Sequence, residues 1–233
     1  MNVHTPITTA TVSAFAWVPD FAKGHVRDLR VRWAHEEAGL PYGSQTLMPG
    51  DDADYRAQQP FGQVPAYRDG EVEMFESGAI VLHIAERSES LMPRDAAGRA
   101  RVQTWMFCAL NTMEIPIGNL ADIDVFNPTA DWAKERRPAV EERVRKRLAE
   151  LAARLGDNPY LDGDGFTAGD LLMTDVLRNV PAALLSEQPT LAAYVERCMA
   201  RPAFQKAMAA QMADFTAGPP AWWTGGRGNP ANA

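Results

Sequence analysis

Cysteine is nearly absent: the 233-residue chain carries two, Cys108 and Cys198, far apart in the sequence. No disulfide framework follows from such a pair, and a reducing cytoplasm is the expected compartment. Histidine is also scarce. His4, His25, His35 and His83 form no H-x-H or H-E-x-x-H pattern, and there is no C-x-x-C, so no metal site is expected. No run approaches the ~18 apolar residues that a membrane span requires. Met1 to Ala10 lacks the basic flank and apolar core of a signal peptide. Positive charge is in deficit, with 23 Lys and Arg against 30 Asp and Glu. The resulting net charge of −7 argues against nucleic acid or an anionic membrane as a main partner. A G-x-S-x-G elbow is missing, and Gly163-Asp164-Gly165 lacks the rest of a nucleotide or calcium loop, so it reads as a turn. What remains is a soluble globular composition, 46% hydrophobic, long enough for one large domain or two modest ones.

The stretch from Gln59 to Arg87 organises the first half. Val64-Ala66-Tyr67 is a short apolar strand, and Asp69-Gly70 is a two-residue hairpin signal. Glu71 to Phe75 alternates as a half-buried strand does. Ser77-Gly78 then opens a helix that is apolar from Ala79 to Ala85. Val64-Pro65 falls where a sheet strand begins, one of the few places a sheet tolerates proline. An X-Pro bond there can be cis, turning the Val64 N–H and C=O toward a ligand. Glu76-Ser77 stands at a helix N-terminus, whose free N–H groups and partial positive charge can hold a carboxylate. Upstream, Thr11 to Trp17 is the expected first strand. A helix is expected from Lys23, with Val26, Leu29 and Trp33 on one face and Arg27, Asp28, Arg30, Arg32, Glu36 and Glu37 on the other. Gly39 ends it. Tyr42 to Met48 reads as the second strand, and Asp51 to Gln58 as a short helix or irregular arm.

The periodicity changes after Ser88 to Asp95, a polar hinge. Everything downstream is expected to be helical. The expected helices are Ala96 to about Leu120, kinked or ended by Pro116, Pro128 to Leu155, one opening at Thr167 and running through Val180, Leu191 to Cys198, and Arg201 to Phe215. The basic run from Lys134 to Arg147 is interleaved with Glu135, Glu141 and Glu142 and reads as a solvated, salt-bridged face. Phe166-Thr167-Ala168-Gly169-Asp170 is a capping box with an apolar staple. Cys108 and Cys198 sit on apolar helix faces and read as core packing. The tail from Thr216 is rich in Gly and Pro and carries Trp222 and Trp223, expected to cover a substrate cleft or a partner subunit.

Pro60-Phe61-Gly62-Gln63-Val64-Pro65, followed thirteen positions after Gln63 by Glu76-Ser77-Gly78-Ala79-Ile80, resembles the glutathione-binding half of the cytosolic glutathione transferases. Val31 to Tyr42 resembles the end of that family's first helix, and the T-x-x-D box its helical-domain signature. The resemblance covers Thr11 to about Phe215 and implies a bacterial member of the family, with the class open. It implies a thioredoxin-like βαβαββα domain over residues 1–88, a linker over 88–95, and an all-α domain over 96–233. It implies a homodimer acting in detoxification, with glutathione as co-substrate and no metal. By the same resemblance Gln63, Val64, Glu76 and Ser77 would hold glutathione. A small hydrophobic electrophile would lie between Trp17 or Pro19 and the helix bearing Trp105, Met106 and Asn111.

The chemistry needs a thiolate, and a free thiol near pKa 8.5 must be stabilised as the anion. The family usually supplies a Tyr, Ser or Cys just after the first strand. Trp17 to Arg30 (WVPDFAKGHVRDLR) contains none of them. The replacements open to this chain are the amides around Ala22 to His25, the ring of His25 as catalytic donor, or the charge of Arg27 or Arg30. The alternatives to a transferase are a non-catalytic binder of glutathione or its conjugates, and a specialised glutathione-dependent lyase or biosynthetic enzyme.

Overall fold

The computed structural model describes residues 9–50 and 52–224. His4, Asp51 and the end of the tail lie outside them. Four strands form one mixed sheet in the order β2-β1-β3-β4. Strand β1 (Ala10–Phe15) runs parallel to β2 (Tyr42–Leu47) and antiparallel to β3 (Ala66–Asp69), which pairs antiparallel with β4 (Val72–Phe75). Gly70 makes the β3–β4 turn at φ 63°, as its lack of a Cβ allows. With α1 (Asp28–Ala38), α2 (Ala53–Arg56) and α3 (Ser77–Ala85) this is the expected βαβαββα order. Strand β4 departs from the half-buried pattern: it is the sheet edge, and only Met74 of its four residues is part-covered.

The remaining described elements are helical: α4 (Ala96–Phe107), α5 (Glu114–Ala121), α6 (Asp131–Leu155), α7 (Ala168–Leu177), α8 (Ala182–Ser186), α9 (Pro189–Met199) and α10 (Pro202–Asp214). The element α8 went unread in the sequence because five residues are too few to show a period. Pro116 does not end its helix. It follows a π-helical stretch, Cys108–Met113, whose wider turn accommodates the ring, and helical structure continues through a second such stretch to Phe126. Between the domains Leu91 and Met92 are buried, and the Leu91 carbonyl accepts the Ala168 N–H at 3.0 Å. The hinge is therefore pinned rather than purely polar.

Helix α1 differs most from its sequence pattern. It starts at Asp28, not Lys23, and its charged side is not solvated: Asp28, Arg30 and Arg32 are all buried. The helix is wedged between α3 on one side and α7 and α10 on the other. Its charges survive burial by pairing inside. Arg32 bonds Asp28 at 2.7 Å and Asp214 at 2.5 Å, while Gln211 donates to Asp28 at 2.7 Å. Burial without such partners would cost several kcal/mol per ion. Glu37 holds Arg201 through both oxygens, at 2.6 and 2.7 Å, and latches the α1 end to the helical domain. The capping box forms as read: Thr167 Oγ1 accepts from Gly169 N, and Asp170 accepts from Thr167 N.

Candidate functional site

The N-terminus of α3 is one of the places where the two domains meet. A Cβ at Gly78 would press on the tip of the Leu110 side chain, which would have to move to admit it, so glycine is what allows this close approach of the helical domain as it stands. Just beside this contact lies a cavity of about 520 Å³, lined by Glu76, Ser77 and Gly78 from α3, Arg27 and Arg30 from the α1 side, and Leu110, Asn111 and Glu114 from the helical domain. Ser77 is buried at the first position of α3. Glu76 precedes it at φ 70°, a left-handed conformation that strains any residue with a Cβ by about 1–3 kcal/mol. Helix-start N–H groups and the Ser77 hydroxyl on one wall, with carboxylates of Glu76 and Glu114 nearby, suit a ligand bearing both an anionic and a cationic group.

Beneath Ser77 lies a buried ion cluster. Arg30, only 3% exposed, donates through Nε to Asp175 at 2.6 Å and through Nη2 to Glu114 at 2.9 Å, and its Nη1 reaches Ser77 Oγ at 3.3 Å. Arg27 also bonds Glu114, at 2.9 Å, and Arg178 bonds Asp175 at 3.2 Å. Burial pulls the Arg30 pKa down, but the two carboxylates outweigh it and hold the guanidinium above its ordinary value. Burial likewise pushes Asp175 up, and Arg30 and Arg178 together bring it below the usual carboxylate range. Arg27, Arg30 and Arg178 are balanced by Glu114, Asp175 and Glu76, so an anion here is drawn by local donors, the helix-start N–H groups and the Ser77 hydroxyl over Arg30, rather than by net charge.

The segment after β1 is a loop where a helix start was expected. Asp20–Ala22 form a single 3-10 turn, Gly24 turns at φ 79°, and only then does α1 begin. The Ala22 and His25 amides are taken by the Pro19 and Ala22 carbonyls at 2.8 and 2.9 Å, and that of Lys23 by Asp20 at 3.3 Å. Those three amides are therefore not the free helix-start donors the sequence offered. His25 is exposed and joined through Nδ1 to Asn179 Oδ1 at 2.8 Å; it does not line the cavity. Arg178 reaches the Gly24 carbonyl at 2.6 Å, so the two residues that follow α7 hold this loop at two points. Neither cysteine competes as a thiol: burial pushes Cys198 up to about 11 and Cys108 upward too.

Of the five residues expected to line the electrophile pocket, Asn111 alone lines this cavity. Met106 is buried in the core with Ala109 and Met113, at the three- and four-residue spacing of one face. Trp105 packs on Gly169 of α7, with the Arg154 guanidinium 5.4 Å over its ring. Asn111 lies on a different side of the helix, together with Glu114 and Gly118. That three- and four-residue run was the available sequence signal for the cavity wall, and it also marks Glu114, which sequence reasoning missed. Trp17 is buried beneath the tail: Trp223 meets it edge-on at 5.3 Å, and the Ala217 N–H bonds the Ala16 carbonyl at 3.0 Å. Pro19 opens the 3-10 turn, and Phe21 beyond it touches Phe126 of the helical domain at 6.0 Å.

At the same end of the β3–β4 pair, where Ala66 faces Phe75, the Val64–Pro65 bond is cis. The Val64 side chain is buried with Tyr55 and Ala66, whereas Gln63 points into the open.

A thioredoxin-like sheet domain joined to a helical domain, with a polar cavity at the N-terminus of α3, defines a two-domain fold whose junction has the chemistry to suit a small charged ligand. Residues 29–91 match the family model of the glutathione S-transferase N-terminal domain, and residues 122–202 that of the C-terminal domain. Glutathione S-transferase 4 of Zea mays is 30% identical over 230 residues, spanning 92% of this chain and 98% of the relative. A glutathione S-transferase of Hyoscyamus muticus is 31% identical over 159 residues, 64% of this chain and 75% of the relative. Among solved structures, the theta class enzyme of Xanthomonas axonopodis pv. citri, with glutathione bound, superposes with TM-score 0.71 at 29% identity over 86% of this chain and 97% of its own. Poplar glutathione transferase F1 gives TM-score 0.73 at 22% identity, with 88% and 99% covered, a likeness of fold. The chain belongs to the glutathione S-transferase family.

Proposed function

We propose that the protein transfers glutathione to a small hydrophobic electrophile by attack of the glutathione thiolate. One observation carries this reading: Ser77 opens α3 over the buried Arg30, in a cavity of about 520 Å³ that also presents Glu76 and Glu114. A γ-glutamyl group carries a carboxylate and an ammonium, the two charges such a wall separates. Glu76 and Ser77 take that end, Val64 pairs its backbone with the cysteinyl unit, and Gln63 lies alongside. His25 is the candidate for the thiol: Asn179 occupies Nδ1, which leaves Nε2 as the ring nitrogen able to meet a sulfur. The tryptophans of the tail, folded against Trp17, form part of the electrophile's surroundings. We read the protein as a homodimer of the cytoplasm serving detoxification, in a bacterial source.

The test is a glutathione titration that also records the ionisation of the bound thiol. Tight binding with a thiol pKa well below its free value near 8.5 supports the transferase, and His25→Ala then lowers turnover by about ten- to a hundredfold. A second reading has its own observation. The loop from Trp17 to Arg30 has no Tyr, Ser or Cys, and its Ala22, Lys23 and His25 amides are occupied by turns. Tight binding with an unshifted thiol establishes this non-catalytic binder and refutes the transferase.

A further inference from the structure

Ser13 and Tyr55 take no part in the site described above, yet both are buried and polar. Ser13 Oγ lies 2.6 Å from the Ala66 nitrogen and 2.7 Å from Tyr55 Oη, and Tyr55 Oη lies 2.7 Å from the Gln63 carbonyl. The two ends of this chain set its direction. An amide N–H only donates and a carbonyl only accepts. Tyr55 must therefore give its one proton to Gln63, and Ser13 must give its proton to Tyr55. The bonds run from the Ala66 N–H through both hydroxyls to the Gln63 C=O, each polarising the next.

Gln59, also buried, adds a second tie, its Oε1 accepting from the Phe61 and Gln63 amides at 2.7 and 3.1 Å. The Gln63 amide and carbonyl and the Ala66 amide are thus engaged inside the protein, on both sides of Val64. The Val64 side chain is buried with Tyr55 and Ala66. Among the described residues, nothing bonds the Val64 N–H or C=O. A segment fixed on both sides with one donor and one acceptor left over is prepared to pair with an extended backbone.

We propose that Ser13 and Tyr55 are positioning residues that set the Val64 backbone for the cysteinyl unit of a thiol peptide. The proposal rests on the functional reading above, in which Val64 contacts glutathione. Tyr55→Phe deletes one oxygen and keeps the ring. Calorimetric titration of the full chain with glutathione, with thermal melts in parallel, should show Kd raised about tenfold, the worth of one buried hydrogen bond. Turnover at saturating glutathione should stay within about twofold of wild type, because the interaction serves binding rather than the transition state. Ser13→Ala should weaken binding similarly, and Ser13→Thr should restore it, since a cavity of about 290 Å³ beside Ser13 has room for the methyl. A Tyr55→Phe protein that melts lower but binds glutathione like wild type overturns the proposal and leaves the functional reading standing. Ser13→Thr binding as weakly as Ser13→Ala overturns it as well. Wild-type protein that binds no glutathione overturns the functional reading itself, so the two failures are separately visible.

Discussion

Replacing Arg30 by methionine tests whether the cluster under Ser77 is held by charge. Methionine keeps an unbranched apolar stem but not the guanidinium, and four polar contacts disappear: one to Asp175, two to Glu114 and one to Ser77. Glu114, 22% exposed, keeps Arg27 and can turn to water. Asp175, at 7%, keeps only Arg178 at 3.2 Å. The cost therefore falls on Asp175, and breaking one side of a buried pair costs about 3–5 kcal/mol. Its pH dependence follows from the same residue. In the wild type Asp175 is held below its ordinary value, so it contributes stability above the unfolded carboxylate pKa and loses it as pH falls. Without Arg30, burial dominates and its pKa rises above the unfolded value. The native variant then binds the extra proton, and its stability falls as pH rises. The gap between variant and wild type should be widest near neutrality and narrow towards about pH 4. Urea unfolding followed by tryptophan fluorescence, at several pH values, measures it. Adding Asp175→Leu should recover most of the loss, since no buried carboxylate then remains unpaired. A penalty under about 1 kcal/mol at pH 7, or one that does not change with pH, would refute the reasoning.

Three further outcomes follow. Asp170→Ala leaves the Leu161 and Thr167 amides without their acceptor and the Tyr194 hydroxyl with only the Asp170 backbone carbonyl at 3.4 Å; at ~1–3 kcal/mol for each buried amide it should cost about 4 kcal/mol in denaturant unfolding, well beyond a solvated cap. Glu76→Gly relieves the left-handed strain and should raise stability by about 1 kcal/mol, whereas Glu76→Gln should not; both should raise KM for glutathione, and equal melting temperatures for the two would deny the strain. His35 is buried against Tyr42 and Tyr67 and held down to about 4 by burial, so its neutral form stabilises the fold above the unfolded value of 6.5. Between those values the unfolded chain binds the proton first, stability falls with pH by about 3 kcal/mol in all from this group, and His35→Phe should flatten the acid limb of a stability–pH curve.

Local signals were legible wherever one short segment carries the whole device. Asp69-Gly70, Gly39, the Thr167 to Asp170 box and the Ser77 helix start each need only a few adjacent residues, and the structure forms each of them. The side of a helix that faces a cavity is not local. Trp105 and Met106 look like pocket residues by type, but Met106 shares its face with Ala109 and Met113, and Trp105 is taken by Gly169 and Arg154. Charge misleads for the same reason. Arg30 and Arg32 read as solvent-facing on α1 because their partners, Asp175 and Asp214, lie 145 and 182 residues away.

That distance explains why the loop after β1 resisted reading. Its conformation is held from the far end of the chain: Arg178 on the Gly24 carbonyl, Asn179 on His25, Ala217 on Ala16 and Trp223 on Trp17. The hairpin half of the site, by contrast, is fixed from within the first domain, by Ser13, Tyr55 and Gln59. The two halves should therefore respond differently to loss of the tail. Ending the chain after Phe215 removes the contacts to Ala16 and Trp17, and among the described residues it removes no hydrogen bond to the Val64 segment or Ser77. Glutathione affinity should then stay within about twofold of the full chain, while turnover with hydrophobic electrophiles changes, since kcat and binding report different contacts. Parallel loss of glutathione binding, in a truncated protein that still melts cooperatively, would show that the halves are not independent.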